Sequence, residues 1–423
     1  MKTIFRFLGL GLVSTAIAAA GTTAGYAQDP CADADGQTAL YTKYTELYPK
    51  TTIADRKAAV EAGKQFLEKY GSCEGVKEQS DYLKAAVPKI EEIIQKAEGE
   101  NRTRAVYQRF DAGIKGEKYD EAYAAGKEIL AINPDALDQI IPLGAIGLVE
   151  SYKKNYKYND DALRYAKLAI EKINAGKTST KYGVYQFQYD TKEKALGALN
   201  YAIGYINYWV KDDKKGALPY YYEASKIGAT KDEPRIYATF GSYYLEQAAP
   251  LGKEIVDLIA LQKGTGTDEE KLAREAVIKG KVALFNAYDE RALDAFSRAY
   301  NLAKKDTKPA GKTYSDTLFT QLQAIYQRRF EKKDGLETYI ASTVAKPMPN
   351  PTSPITPVAD PEPAKPTTTT GAPAAVVTKP VSSVITKTSG TGNDAVKTPA
   401  AATTAVKTKP AAKKPAVRKK GTR

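Results

Sequence analysis

The chain has 423 residues, of which 27% are charged, with 63 Lys and Arg against 50 Asp and Glu and a formal net charge of +13. It contains no histidine and only two cysteines. This excludes Ser-His-Asp and Cys-His nucleophile systems, histidine-ligated catalytic zinc and an all-cysteine zinc site, leaving carboxylate chemistry, lysine chemistry or none.

At the start of the chain, Lys2 and Arg6 precede an apolar run from Phe7 to Ala20, and small residues follow through Ala24-Gly25-Tyr26-Ala27. That order of charge, apolar core and small residues marks residues 1–27 as a secretory signal peptide. The run is shorter than the ~20 residues a membrane-spanning helix needs, and no later stretch is apolar enough to span a bilayer. Asp29-Pro30 occupies the place where a lipidation box before Cys31 would carry small residues. The mature chain is therefore expected in the periplasm or outside the cell, without a membrane span. An even pair of cysteines in an oxidising compartment points to one disulfide, Cys31 to Cys73.

Residues 28–100 read as an N-terminal helical region and residues 101–344 as the main helical domain. Apolar positions recur there at three- and four-residue spacing, and long alternating strand patterns are absent. In Ala292 to Tyr300, the residues Ala292, Phe296 and Ala299 share one face while Asp294 and Arg298 form an i,i+4 pair on another. Internal repetition is the main signal. Ala62-Gly63-Lys64-Gln65-Phe66-Leu67 matches Ala125-Gly126-Lys127-Glu128-Ile129-Leu130, and related segments begin at Asp161, Gly216 and Arg291. Each carries a small residue, a small or aromatic one four later, and a small one three after that.

Tyr119-Asp120-Glu121-Ala122 through Asn133-Pro134 resembles the turn, second helix and terminal proline of a tetratricopeptide repeat. Tyr237 to Tyr244, with Phe240-Gly241, is similar to that family's first helix, and Ile203-Gly204 is a similar apolar-glycine pair. At the corresponding place in another unit stands Arg109-Phe110, which departs from the pattern. The resemblance covers residues 36–344 unevenly. It implies an all-α, right-handed solenoid of antiparallel helix pairs, because a lone pair cannot bury its apolar face and stacked pairs can. Ala122, Ala162, Ala217 and Ala292 are then expected where helices cross closely.

Tyr182 to Tyr189 reads as loop or extended chain. After Pro250, Leu251 to Lys263 reads as an amphipathic extension, and Thr267-Asp268-Glu269-Glu270 is a capping box that starts a helix at Asp268. Residues 345–423 hold 13 of the 22 prolines and no aromatic residue, so they are expected to be disordered. They carry 11 Lys and 2 Arg against Asp360, Glu362 and Asp394, a net +10, which with Lys2 and Arg6 set aside leaves the body near +1. The densest stretch holds Lys407, Lys409, Lys413, Lys414, Arg418, Lys419 and Lys420. It reads as a spacer, as a tether to anionic envelope polymer or lipid headgroups, or as a nucleic-acid arm, its Lys-Lys-Pro-Ala run resembling linker-histone tails. The signal peptide argues against nucleic acid, and the tether alone uses the clustering of charge.

Catalytic motifs are weak. Gly311-Lys312-Thr313 lacks the first glycine of a phosphate loop, Asp306 standing there, and no strand precedes it. Ser151 and Lys154 have serine–lysine spacing without companion motifs. A carboxylate-pair hydrolase remains an alternative, although the single Trp argues against a sugar cleft, and Asp120 and Asp161 are expected to cap helices. No cofactor or metal site is expected. Of the 30 tyrosines, most should pack between helices. The resemblance places Tyr201, Tyr205 and Tyr208, with Trp209, on the face that lines the family's concave groove. The expectation is an exported, non-enzymatic scaffold binding a protein or peptide partner there, or a structural protein held to the envelope by its tail.

Overall fold

In the computed structural model, which describes residues 29–360, the three- and four-residue apolar spacing becomes twelve α-helices, and no strand occurs among the described residues. The signal-peptide segment 1–27 and the basic positions Lys407, Lys409, Lys413, Lys414, Arg418, Lys419 and Lys420 lie outside the described residues. The chain divides into two compact units between Ala105 and Val106.

The first unit holds α1 (Ala34–Leu47), α2 (Ile53–Tyr70) and the first part of α3 (Lys77–Lys115). Tyr44, Phe66, Tyr70, Leu83 and Ile90 build its core. Asp33 starts α1 by accepting from Gly36 N at 3.0 Å, and Tyr70 Oη donates to the same carboxylate at 2.5 Å, tying the end of α2 to the start of α1. That hydrogen bond lowers the Asp33 pKa. Cys31 and Cys73 meet in disulfide geometry with Cα atoms 5.3 Å apart. They pin the entry of α1 to the entry of α3.

The second unit continues with α4 (Tyr119–Ile132), α5 (Leu137–Tyr152), α6 (Asn159–Asn174), α7 (Lys192–Tyr205), α8 (Lys214–Lys226), α9 (Pro234–Gln262), α10 (Asp268–Ala303), α11 (Pro309–Phe330) and α12 (Leu336–Val344). The principal helix contacts join neighbours in the chain, with α5 also touching α7 and α10 touching α12. One core gathers around Phe110, Ile129, Ile140 and Leu199, and a second around Tyr221, Phe240, Phe296 and Leu322. Small residues set the closest approaches. A Cβ on Gly147 would lie 2.4 Å from Ala162 Cβ, and one on Gly113 would lie 2.8 Å from Ala122 N. Ala122, Ala162, Ala217 and Ala292 are all fully buried. The crossing glycine of α3 is thus Gly113, one turn beyond Arg109-Phe110, where Phe110 fills the core instead. In the later pairs an aromatic ring covers the notch: Gly204 faces Tyr221 and Gly241 faces Phe296. The matched segments at Gly63 and Gly126 also play one role. Added Cβ atoms there would strike Val87 at 2.8 Å and Leu143 at 2.6 Å, each on the following helix.

Thr267 and Glu270 form the expected capping box, and α9 runs through Pro250 to Gln262, so α9 and α10 make one long hairpin. Asp120 and Asp161 do not cap. They sit in the first turns of α4 and α6, favoured there by the helix dipole, and bind Lys157 at 2.6 Å and Arg164 at 2.5 Å. The stretch 175–191 is an ordered loop. Tyr182 and Phe187 are buried in the first core, and Asp138 Oδ1 accepts from Gly183 N at 3.0 Å. Gly183 has φ +110°, and a Cβ there would lie 2.1 Å from Phe187 O, so only glycine fits.

Residues 345–360, expected to belong to a disordered tail, are instead laid against the body. Their prolines keep them out of helix. Yet Met348 and Ile355 pack on the second core, Pro351 is buried, and Val358 N donates to Ala283 O at 2.8 Å. A segment too poor in apolar residues to build a core can still bury a few of them on one already formed.

Candidate functional site

The four aromatic residues expected to line a groove separate into two kinds. Tyr201 and Tyr208 are core residues, 8% and 1% exposed, whereas Tyr205 and Trp209 are half-buried. On a regular helix Tyr201, Tyr205 and Tyr208 share a face, but the hydrogen bonding widens into a π-turn over Ile206–Val210. Past its start, Tyr208 is buried like Tyr201, its ring 4.7 Å from Trp209 and beneath Lys214 Nζ at 5.6 Å. Tyr201 packs edge-on against Tyr221 at 5.8 Å, as follows from Gly204 letting α8 approach. Burial pushes the Tyr201 and Tyr221 hydroxyls well above the usual phenol range and Tyr205 up to about 12.

Around Tyr205 the structure assembles residues that sequence reasoning missed. Tyr152, the last residue of α5 and 39% exposed, stands edge-on to Tyr205 at 4.9 Å and donates to Tyr201 Oη at 3.3 Å. Arg235, in the first turn of α9 beside Glu233, lies in the field of Tyr152 and Tyr201. Tyr314, in the second turn of α11, lies in the field of Glu233 and Arg235, and its buried hydroxyl has no hydrogen-bond partner among the described residues. Helices α5, α7 and α9 thus contribute to one cluster, with Tyr314 of α11 in its field. Its ring faces, hydroxyls and guanidinium suit an amphipathic partner surface. Buried phenols with raised pKa values offer no base near neutral pH. The only local sequence signal was the tyrosine density itself.

A second constellation lies on α10 and α11. Arg328 binds the fully buried Asp289 through two hydrogen bonds of 2.8 and 2.6 Å. Burial raises the Asp289 pKa, opposed by that guanidinium. The neighbouring Arg329 binds Glu290 at 2.9 Å and Asp360 at 2.9 Å, and Asn286 Nδ2 donates to Asp360 Oδ1 at 3.1 Å and to Val358 O at 3.4 Å. One helical stretch away, Arg298 holds Asp294 bidentately and donates to the carbonyls of Thr343 and Lys346 at 3.1 and 2.9 Å.

The remaining candidates have structural roles. Ser151 is buried and donates to Asn159 Oδ1 at 3.0 Å, while Lys154 sits at φ +62° in the following turn. Gly311-Lys312-Thr313 lies in the first turn of α11, with Thr313 Oγ1 donating to Pro309 O at 3.0 Å. An open groove of about 460 Å³ between α4 and α6 is framed by Lys127, Arg164, Lys167 and Glu171 over Leu130 and Leu168. No cluster of potential metal ligands and no helix long and apolar enough to cross a membrane occurs among the described residues. Comparison with family models, with curated proteins and with solved structures returns no match.

Proposed function

We propose that this chain is an exported, non-enzymatic scaffold, a right-handed solenoid of helix pairs, that binds a protein or peptide partner on its first-helix surface. The observation that carries this is the meeting of α5 and α7 at the half-buried Tyr205 and the exposed Tyr152, their rings 4.9 Å apart, with the charge of Arg235 on α9 acting on the same tyrosines. Tyrosine and arginine supply rigid amphipathic area and planar donors, which is why they dominate the energetics of many interfaces. The repeated small-residue crossings and the contact order between neighbouring helices support the solenoid. Affinity purification with the mature protein tests the assignment. Tyr152→Ala with Tyr205→Ala, which leaves the buried Tyr201 and Tyr208 in place, should lose partners that the wild type retains. Equal recovery by both proteins would remove this surface from consideration.

Segregation of charge, +10 in residues 345–423 against a body near +1, supports a second element of function. The tail would hold the scaffold to an anionic envelope surface while the folded part stays free to bind.

A further inference from the structure

The segment 345–360 is placed as a ligand would be. It leaves α12 at Val344, where Arg298 takes the Thr343 carbonyl of the helix and the Lys346 carbonyl of the segment, and runs back to Ala283 of α10. From Arg298 to Ala283 is about four helical turns. Prolines at 347, 349, 351, 354 and 357 remove the N–H groups that a helix would need. Beyond the buried Pro351, Ile355 and Val358 are half-buried against the body while Pro354 and Pro357 are exposed. Over residues 354–358, apolar residues three apart on one edge and prolines on the other match an extended chain of three residues per turn. At its end Asn286 bonds both the Val358 carbonyl and the Asp360 carboxylate, which Arg329 also binds. Contacts to main-chain groups, an apolar seat and an Arg–Asn carboxylate clamp are the means by which a helical surface reads an extended peptide.

The geometry points to a peptide site along α10 and the end of α11, with residues 346–360 as its tethered occupant. The site accepts an extended, proline-punctuated segment that presents apolar side chains three residues apart and an acidic side chain two residues beyond the second. Proline limits the conformational entropy such a segment loses on docking. An external partner of the same chemistry competes with a strap whose effective concentration is in the millimolar range, so the intact chain is held in a guarded state. This site lies on other helices than Tyr152 and Tyr205, and it stands or falls independently of that surface.

The probe is a fluorescein-labelled peptide of residues 345–361, added to the full chain and followed by fluorescence anisotropy. Val358→Pro with Asp360→Ala removes the N–H given to Ala283 and the acceptor of Arg329 and Asn286, which releases the strap. The released chain should bind the probe at least ten-fold more tightly than the wild type does. Asn286→Ala in the released chain, or Asp360→Ala in the probe, should reverse that gain, and Tyr205→Ala should not. If the double variant loses helical circular dichroism, Asp360→Asn alone replaces it and the same ordering is required. Equal weak binding by released and wild-type chains would overturn the proposal. So would dimerisation of the wild type by light scattering, which would assign the site to the strap of a second copy.

Discussion

The Asp289–Arg328 pair offers the sharpest energetic test. The Asp289 side chain is 1% exposed and Arg328 is 13% exposed. Arg328→Met removes both hydrogen bonds and leaves a buried carboxylate, which costs about 3–5 kcal/mol when the partner of a buried pair is deleted. The charge of Arg329 also acts on Asp289, so the low end, about 3 kcal/mol, applies. At about 2–4 °C per kcal/mol for a unit of this size, the melting temperature at pH 7 should fall by about 6–12 °C. The pH dependence has a definite sign. Burial already raises the Asp289 pKa, and losing the guanidinium raises it further. A carboxyl whose folded pKa exceeds its unfolded value of ~3.9 contributes stability at low pH and loses it as pH rises through the folded value. The deficit of Arg328→Met should therefore shrink on acidification from pH 7 to pH 5. Asp289→Leu with Arg328→Met, which leaves no orphan charge, should recover most of the loss. Thermal melts by circular dichroism across that pH range decide it. A loss below ~1 kcal/mol, or a double variant no better than the single one, would refute the reasoning.

Ala122→Leu and Ala292→Leu should each cost about 1–3 kcal/mol by overpacking a close crossing, read by denaturant unfolding; two silent substitutions would contradict the crossing assignment. Joining Cys31 to Cys73 closes a separation of 42 residues, worth about 4 kcal/mol in the chain-entropy model; unreduced mass spectrometry should find no free thiol, and reduction should lower the melting point of the first unit. Burial lifts Tyr205, Tyr244 and Tyr339 to about 12. Against an unfolded phenol near ~10, their contribution is complete below that value and lost as pH rises through the folded one, so absorbance at 295 nm should rise together with loss of helix between them. Full-length protein should co-sediment with cell envelopes at low salt and release as salt rises, while protein truncated before Lys407 stays in solution; equal sedimentation would leave the tail a spacer.

The helices were legible because their signals are local. Thr267 and Glu270 announce the start of α10 three residues apart, and Ala62-Gly63 and Ala125-Gly126 expose their shared role by repetition. The crossing of α3 was misplaced for the opposite reason. Arg109-Phe110 stands at the position the repeat spacing gives, while the glycine lies three residues on at Gly113, and only the partner Ala122 shows that the next helix approaches there. Asp120 and Asp161 were misassigned because an acidic residue suits either the cap or the first turn, and the choice depends on the backbone angles of Lys118 and Tyr158 beside them.

The candidate sites were less legible because their parts are remote in sequence. Tyr152, Tyr205, Arg235 and Tyr314 belong to four helices, and no spacing rule connects them. Tyr201 and Tyr208 turned out to be core residues because the helix packed against them, brought close by Gly204, is not visible in the residue pattern. The strap shows the same limit from the other side. Its proline content, correctly read, forbids helix and denies it a core of its own. Whether such a segment docks depends on what other parts of the chain offer it: Arg298 at one end, Ala283, Asn286 and Arg329 at the other. Composition therefore decides that residues 345–360 stay extended, while the folded body decides where they lie. An extended segment held by groups that would serve equally well for another chain has the chemistry of a ligand, and its covalent connection changes only its concentration.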